Sequence, residues 1–209
     1  MGLRLLALLA LTFALSACVA TAGRATAEPP AHLVLVSSTT ETGTRVRLNQ
    51  TISKSFYAVA GDSAEALRKS LDAAAQGSFD AETEWTMTWT FRYRRAPGYC
   101  ELDAADVDLA IVVRLPRTDE AALAPALRQR WADYVSALEA HEMGHAARET
   151  AVARAYAAAL EDAAADSDCS RLGSVLNTLG QSYLDQGRAS DTAYDSATGH
   201  GATEGATFP

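Results

Sequence analysis

The chain has 209 residues, with 18 basic against 26 acidic side chains and a net charge of −8. That length suffices for one domain with a real core. The acidity is spread rather than blocked, which reads as a solvated surface, and no basic patch stands out, which excludes nucleic acid as a partner.

Met1-Gly2-Leu3-Arg4 is a short basic start, and Leu5 to Leu15 is an almost unbroken apolar run. It is too short to span a bilayer as a mature helix and reads as a signal peptide. Leu15-Ser16-Ala17-Cys18 follows. This resembles the lipobox of bacterial lipoproteins, which implies cleavage before Cys18 and a lipid on it. Ordinary cleavage after Ala17 or Ala22 is the alternative, and either way the mature protein is exported. Val19 rather than an aspartate follows the cysteine, so the expected place is the cell envelope, as an outer-membrane lipoprotein facing the periplasm. The expected layout is a signal peptide over residues 1–17, a flexible tether over 18–30 that ends at Pro30, and a single domain over 31–209. His32 lies beside the tether and reads as a surface bystander. The mature chain has 17 basic and 26 acidic residues, a net charge of −9. With Cys18 lipidated, Cys100 and Cys169 remain. In an oxidising compartment they most simply form one disulfide. The closed loop of about 70 residues is worth roughly 3–4 kcal/mol on a chain-entropy argument.

Leu33 to Val36, Val46 to Asn49 and Ser55 to Val59 are β-prone runs. Gly61-Asp62-Ser63 makes a turn, and Ser63 is a good N-cap for a helix from Ala64 to Leu71. Glu84 to Arg94 is the clearest strand. Trp85, Met87, Trp89, Phe91 and Tyr93 alternate with polar residues, so one face is buried and one is wet. A helix packed on that aromatic row is the expected cause. Arg94 to Gly98 turns the chain, and Val107 to Leu115 is a further strand stopped by Pro116. From about Ala126 to Ala165 runs a long helix whose apolar face reads Leu127, Trp131, Tyr134, Leu138, His141, His145, Val152, Tyr156 and Leu160. A second, shorter helix is expected from Arg171 to Arg188. The glycine-rich tail from Tyr194 to Pro209 reads as a loop.

His141-Glu142-Met143-Gly144-His145 lies within the long helix. Positions i and i+4 share a helix face, so both imidazoles reach one metal ion. Glu142 leans over the open side, placed to take a proton from water held by the ion. A catalytic zinc takes three protein ligands. Two residues compete for the third place. Glu149 is one turn beyond His145, but three ligands in line on a straight helix make a poor tetrahedral set, so it fits better as an exposed or supporting group. His200, between Gly199 and Gly201, comes from a loop that folds over the helix and is the favoured third ligand.

Beyond these motifs, the chain resembles a bacterial family of unknown function whose members are described as secreted zinc-dependent proteases. The resemblance rests on Tyr57-x-Val59-x-Gly61, Trp85 to Trp89, Cys100, Leu115-Pro116, Trp131, His141-Glu142-x-x-His145, Cys169 and Tyr194-Asp195-x-x-Thr198-x-His200-Gly201 with Gly205. Gly199 fills a position expected to vary. The resemblance implies a metallopeptidase-like domain. The expected fold is α+β and zincin-like: a small antiparallel sheet packed against the long His-Glu-x-x-His helix, with a second C-terminal helix. The expected chemistry is peptide hydrolysis with Zn2+, held by His141, His145 and His200, with Glu142 as base. Tyr194 is the candidate donor to the oxyanion, with Arg148 behind it, and Asp195 is a candidate to orient an imidazole. The expected partners are a protein or peptide substrate and, through the N-terminal lipid, the membrane. The alternative is a non-catalytic, metal-stabilised envelope module that assists assembly.

Overall fold

The computed structural model describes residues 33–74 and 79–208. The expected signal peptide, Cys18, the tether and His32 lie outside the described residues. The fold is α+β, with a four-stranded mixed sheet and three helices among the described residues. Strands β1 (Val34–Thr42) and β2 (Val46–Ala58) form a hairpin, and α1 (Ala64–Ala74) follows. Strands β3 (Glu82–Ala96) and β4 (Tyr99–Arg117) form a second hairpin, turned at Gly98 with φ 68°. Helices α2 (Pro125–Glu161) and α3 (Cys169–Thr198) complete the chain.

The strand order is β1-β2-β4-β3, and β2 pairs with β4 in parallel. This corrects the expected antiparallel sheet. The second hairpin enters the sheet with its later strand inward. That strand, β4, is the most apolar, with Val107, Leu109, Ile111, Val113 and Leu115 all buried, so it takes a central position. Its first half did not show in the alternation. Arg92 pairs with Ala104 but Tyr93 with Leu102, leaving Asp103 as a bulge residue. Burial therefore shifts from the even positions Cys100 and Leu102 to the odd positions from Ala105 onward, and the period-two signal breaks there.

Helix α3 runs ten residues past its expected end at Arg188. Residues 189–198 lack a large apolar stripe, so periodicity stops before the helix does. Gly199, left-handed at φ 59°, ends it. The two helices run antiparallel, with Tyr156 Oη donating to the Leu176 carbonyl at 3.2 Å. Cys100 and Cys169 are joined in a disulfide with Cα atoms 5.2 Å apart, tying the start of β4 to the start of α3.

Three glycines seat α3 on the aromatic row of β3. A Cβ at Gly173 would lie 3.0 Å from Tyr93 Oη, one at Gly180 would lie 2.6 Å from the Trp89 ring, and one at Gly187 would lie 3.0 Å from the Trp85 ring. The glycines recur every seven residues along the helix, the aromatics every four along the strand, so each ring meets a gap. This packing fixes where the far end of α3 lies on α2. Gly180→Ala gains helix propensity of about 1 kcal/mol but forces a ring out of a packed core, which costs about 1–3 kcal/mol. The expected net result is a lower melting midpoint by a few degrees in calorimetry.

Candidate functional site

His141 and His145 are buried on the inner face of α2, one turn apart. Opposite them, α3 carries Asp191 and Asp195, also one turn apart. The His145 ring is bonded at both nitrogens, Nδ1 to Asp191 Oδ1 at 2.8 Å and Nε2 to Asp195 Oδ1 at 3.0 Å. The His141 ring is bonded the same way, Nδ1 to Glu204 Oε2 at 2.9 Å and Nε2 to Asp195 Oδ1 at 3.1 Å. His141, His145 and Asp195 thus offer three ligand atoms within 4.8 Å of one another.

The proton balance of this cluster points to a cation. Carboxylates only accept, and a neutral imidazole has one N–H. Four ring nitrogens facing carboxylates need four N–H groups, and two neutral rings supply two. Either two extra protons or one divalent cation must make up the difference. With Asp191 and Glu204 taking the Nδ1–H groups, both Nε2 lone pairs and Asp195 Oδ1 converge on one point. Buried acceptors facing acceptors are costly unless a positive charge lies among them. Carboxylates behind ligand histidines are also the common outer support of a metal site. The donor set therefore fits a metal ion.

The structure places the expected site residues unevenly. Asp195, expected to orient an imidazole, sits at the focus of the cluster. His200, expected as third ligand, lies outside the three-atom group, with Nδ1 3.5 Å from Asp195 Oδ1. Tyr194 stacks on His141 at 4.7 Å, and its hydroxyl donates to Glu204 at 3.1 Å. Burial and the Glu204 carboxylate push the Tyr194 hydroxyl above its ordinary pKa. Arg148 covers the Tyr194 ring and donates to the Gly144 carbonyl at 2.9 Å. Gly144, within the His-Glu-x-x-His motif, makes this stacking possible: a Cβ there would lie 2.4 Å from Tyr194 Oη. Glu142 is buried, and Oε2 accepts from Thr83 Oγ1 at 2.7 Å. Burial raises its carboxyl pKa, against the opposing pull of the Thr83 hydroxyl.

Glu149 is fully buried, so of its two expected places, exposed or supporting, the exposed one does not hold. Neither of its oxygens has a hydrogen-bond partner among the described residues, and Oε2 fills the gap at Gly187. Burial, then the neighbouring Asp191, push its carboxyl up to about 8 from an ordinary 4.5. A carboxyl whose folded pKa lies above its unfolded value binds more protons when folded, so stability falls as pH rises between the two values. The fold is therefore expected to lose stability from about pH 4.5 to about pH 8, and no further from this group above that. Glu149→Gln is expected to remove that slope. Melting curves of metal-free protein should show the variant gaining a few degrees over wild type at pH 9 and little at pH 4.5.

A cavity of about 510 Å3 opens beside the cluster. Glu142, His141, His145, Asp195 and His200 line it, with Thr83 and Glu82 from β3 and Phe79, Leu138 and Ala206 as an apolar wall. Arg68 also lines it, but its guanidinium is held by Asp80 and Asp72.

Asp191 and Glu204 were not among the expected site residues. Asp191 lies past the point where the apolar stripe of α3 fades. Its signal was the spacing of four to Asp195, matching that of the two histidines. Glu204 carries no local signal; only the return of the tail over α2 places it.

A family model for a bacterial protein of unknown function (DUF922) matches residues 54–201. The chain belongs to this family. The match takes in His141, Glu142, His145, Asp191, Asp195 and His200, while β1 and Glu204 fall outside it. Comparisons of this DUF922 member with curated proteins and with solved structures found no match. Among its described residues no helix is long and apolar enough to cross a membrane.

Proposed function

We propose that this protein is an exported zinc-dependent hydrolase of peptide bonds, built in a zincin-like way. The convergence of His141 Nε2, His145 Nε2 and Asp195 Oδ1 beside the buried carboxylate of Glu142 carries this reading. Two imidazoles and one carboxylate suit zinc, and three protein ligands leave a position open. Asp195 is the third ligand in this reading. A bound zinc ion would acidify water and polarise a substrate carbonyl. Glu142 takes the proton from the attacking water and delivers it to the leaving amine nitrogen, as the new C–O bond forms and the C–N bond breaks. The Thr83 hydroxyl holds Glu142 in place. Glu204 and Asp191 hold the Nδ1–H groups and aim both rings inward. The cavity offers Phe79, Leu138 and Ala206 as an apolar wall for a substrate side chain. The lipobox-like Leu15-Ser16-Ala17-Cys18 supports an outer-membrane lipoprotein whose substrates are envelope proteins or peptides.

The test is cleavage of an unfolded protein, read as new α-amino groups. Zinc-loaded protein is expected to cleave, a chelator to stop it, and added zinc to restore it. Cleavage that persists in the stripped protein would sink the metal reading. Tight zinc binding with no cleavage of any peptide would instead favour a metal-stabilised binding module.

A further inference from the structure

We infer that His200 is a catalytic hydrogen-bond donor to the anionic oxygen of a bound substrate, not a ligand of the metal; this rests on the hydrolase reading above. Gly199, His200 and Gly201 are all left-handed, at φ 59°, 53° and 80°, and His200 is the one described non-glycine residue with positive φ. Non-glycine residues uncommonly adopt that conformation, histidine more readily than most, and such residues gather at functional sites. Here it is held by the His200 N–H on the Asp195 carbonyl at 3.0 Å and the Gly201 N–H on Thr198 Oγ1 at 3.2 Å. The turn also lets Gly201 lie flat against His141, where a Cβ would come within 3.0 Å of the ring.

The side chain that results faces the cavity. Its ring stacks on Phe79 at 4.2 Å, and Nδ1 lies 3.5 Å from Asp195 Oδ1. It is not built like the two other histidines. Those are 3% and 9% exposed, and each has a carboxylate on the nitrogen away from the cluster; His200 is 48% exposed, and no described group holds its Nε2. A ligand histidine needs that outer support.

The other donors near the cavity are engaged elsewhere. The Tyr194 hydroxyl is on Glu204, the Arg148 guanidinium on the Gly144 carbonyl, the Thr83 hydroxyl on Glu142, and Arg68 on Asp72 and Asp80. Hydrolysis converts a neutral carbonyl into a tetrahedral centre with an anionic oxygen. A fixed N–H that strengthens its bond as that charge develops lowers the barrier. Among the described side chains, His200 offers the N–H left to supply it.

Cobalt-loaded protein tests this without turnover. The cobalt absorption spectrum reports the ligand set, and acetohydroxamate supplies an anionic oxygen at the open position. His200→Ala is expected to bind one cobalt per chain with an unchanged spectrum, and to bind acetohydroxamate about tenfold more weakly than wild type. His200→Gln, which keeps an N–H donor, is expected to recover part of that loss. A changed spectrum or lost cobalt in His200→Ala overturns the proposal by making His200 a ligand. Unchanged acetohydroxamate affinity overturns it by making His200 a bystander. A wild-type chain that takes up no cobalt overturns it together with the metal reading. The expected cobalt results with no peptide cleaved would leave the donor role standing and reject only the hydrolase.

Discussion

Asp195→Ala is expected to lose metal that His200→Ala keeps. The two candidate third ligands lie 3.5 Å apart, so sequence proximity does not separate them, but their surroundings do. Asp195 Oδ1 is bonded to both inward imidazole nitrogens at 3.0 and 3.1 Å, while His200 approaches the cluster through Asp195 alone, at 3.5 Å. Structural zinc sites bind with about 10–16 kcal/mol shared over four ligands, so one protein ligand is worth roughly 3 kcal/mol, about a hundredfold in affinity. Competition against a chromophoric chelator should show that drop in Asp195→Ala. Removing a group behind a ligand costs less, about 10–100-fold, which is the expectation for Asp191→Asn. If Asp195→Ala binds zinc as tightly as wild type, Asp195 is not a ligand and the third place belongs to another group.

Glu142→Gln should leave zinc in place and remove turnover. The side chain lies between the two histidines in sequence, yet it is bonded to neither. Its carboxylate accepts from Thr83 and lines the cavity, so the isosteric amide keeps packing and the Thr83 contact while losing the ability to take a proton. A positioned general base contributes about 10²–10⁴ in rate. The expected outcome is a fall in kcat of that order, with zinc content and melting midpoint close to wild type. Equal loss of zinc and activity would assign Glu142 to the ligand set. Retained activity would remove it from the mechanism.

Much of the site was legible because helix periodicity is local. The spacing of four puts His141 and His145 on one face, and the apolar stripe puts that face inward; both are consequences of 3.6 residues per turn. The alternation from Trp85 to Tyr93 marked the buried face of β3 for the same kind of reason. Legibility failed where the pattern was interrupted or where the partner was distant. The bulge at Asp103 reversed the alternation of β4 and hid its first half. The small, polar run after Arg188 hid the end of α3, so Asp195 was read as a loop residue rather than as the helical counterpart of the histidines. The parallel pairing of β2 with β4 joins strands separated by α1 and β3, and no local signal records it.

For this protein the sequence alone determined that two histidines share the buried face of a long helix, with a glutamate next to the first. It also determined that an aromatic strand must be covered and that Cys100 and Cys169 are natural partners. Those follow from backbone periods and from chemistry within a few residues. Tertiary structure decided what meets the histidines. The glycine seats at 173, 180 and 187 lay α3 along the aromatic row, and that placement brings Asp191 and Asp195 opposite His145 and His141. The left-handed turn at 199–201 then sends the tail back, delivering Glu204 behind His141 and His200 into the cavity. Close approach between helix and sheet is a property of two surfaces at once, which is why neither surface's sequence shows it alone.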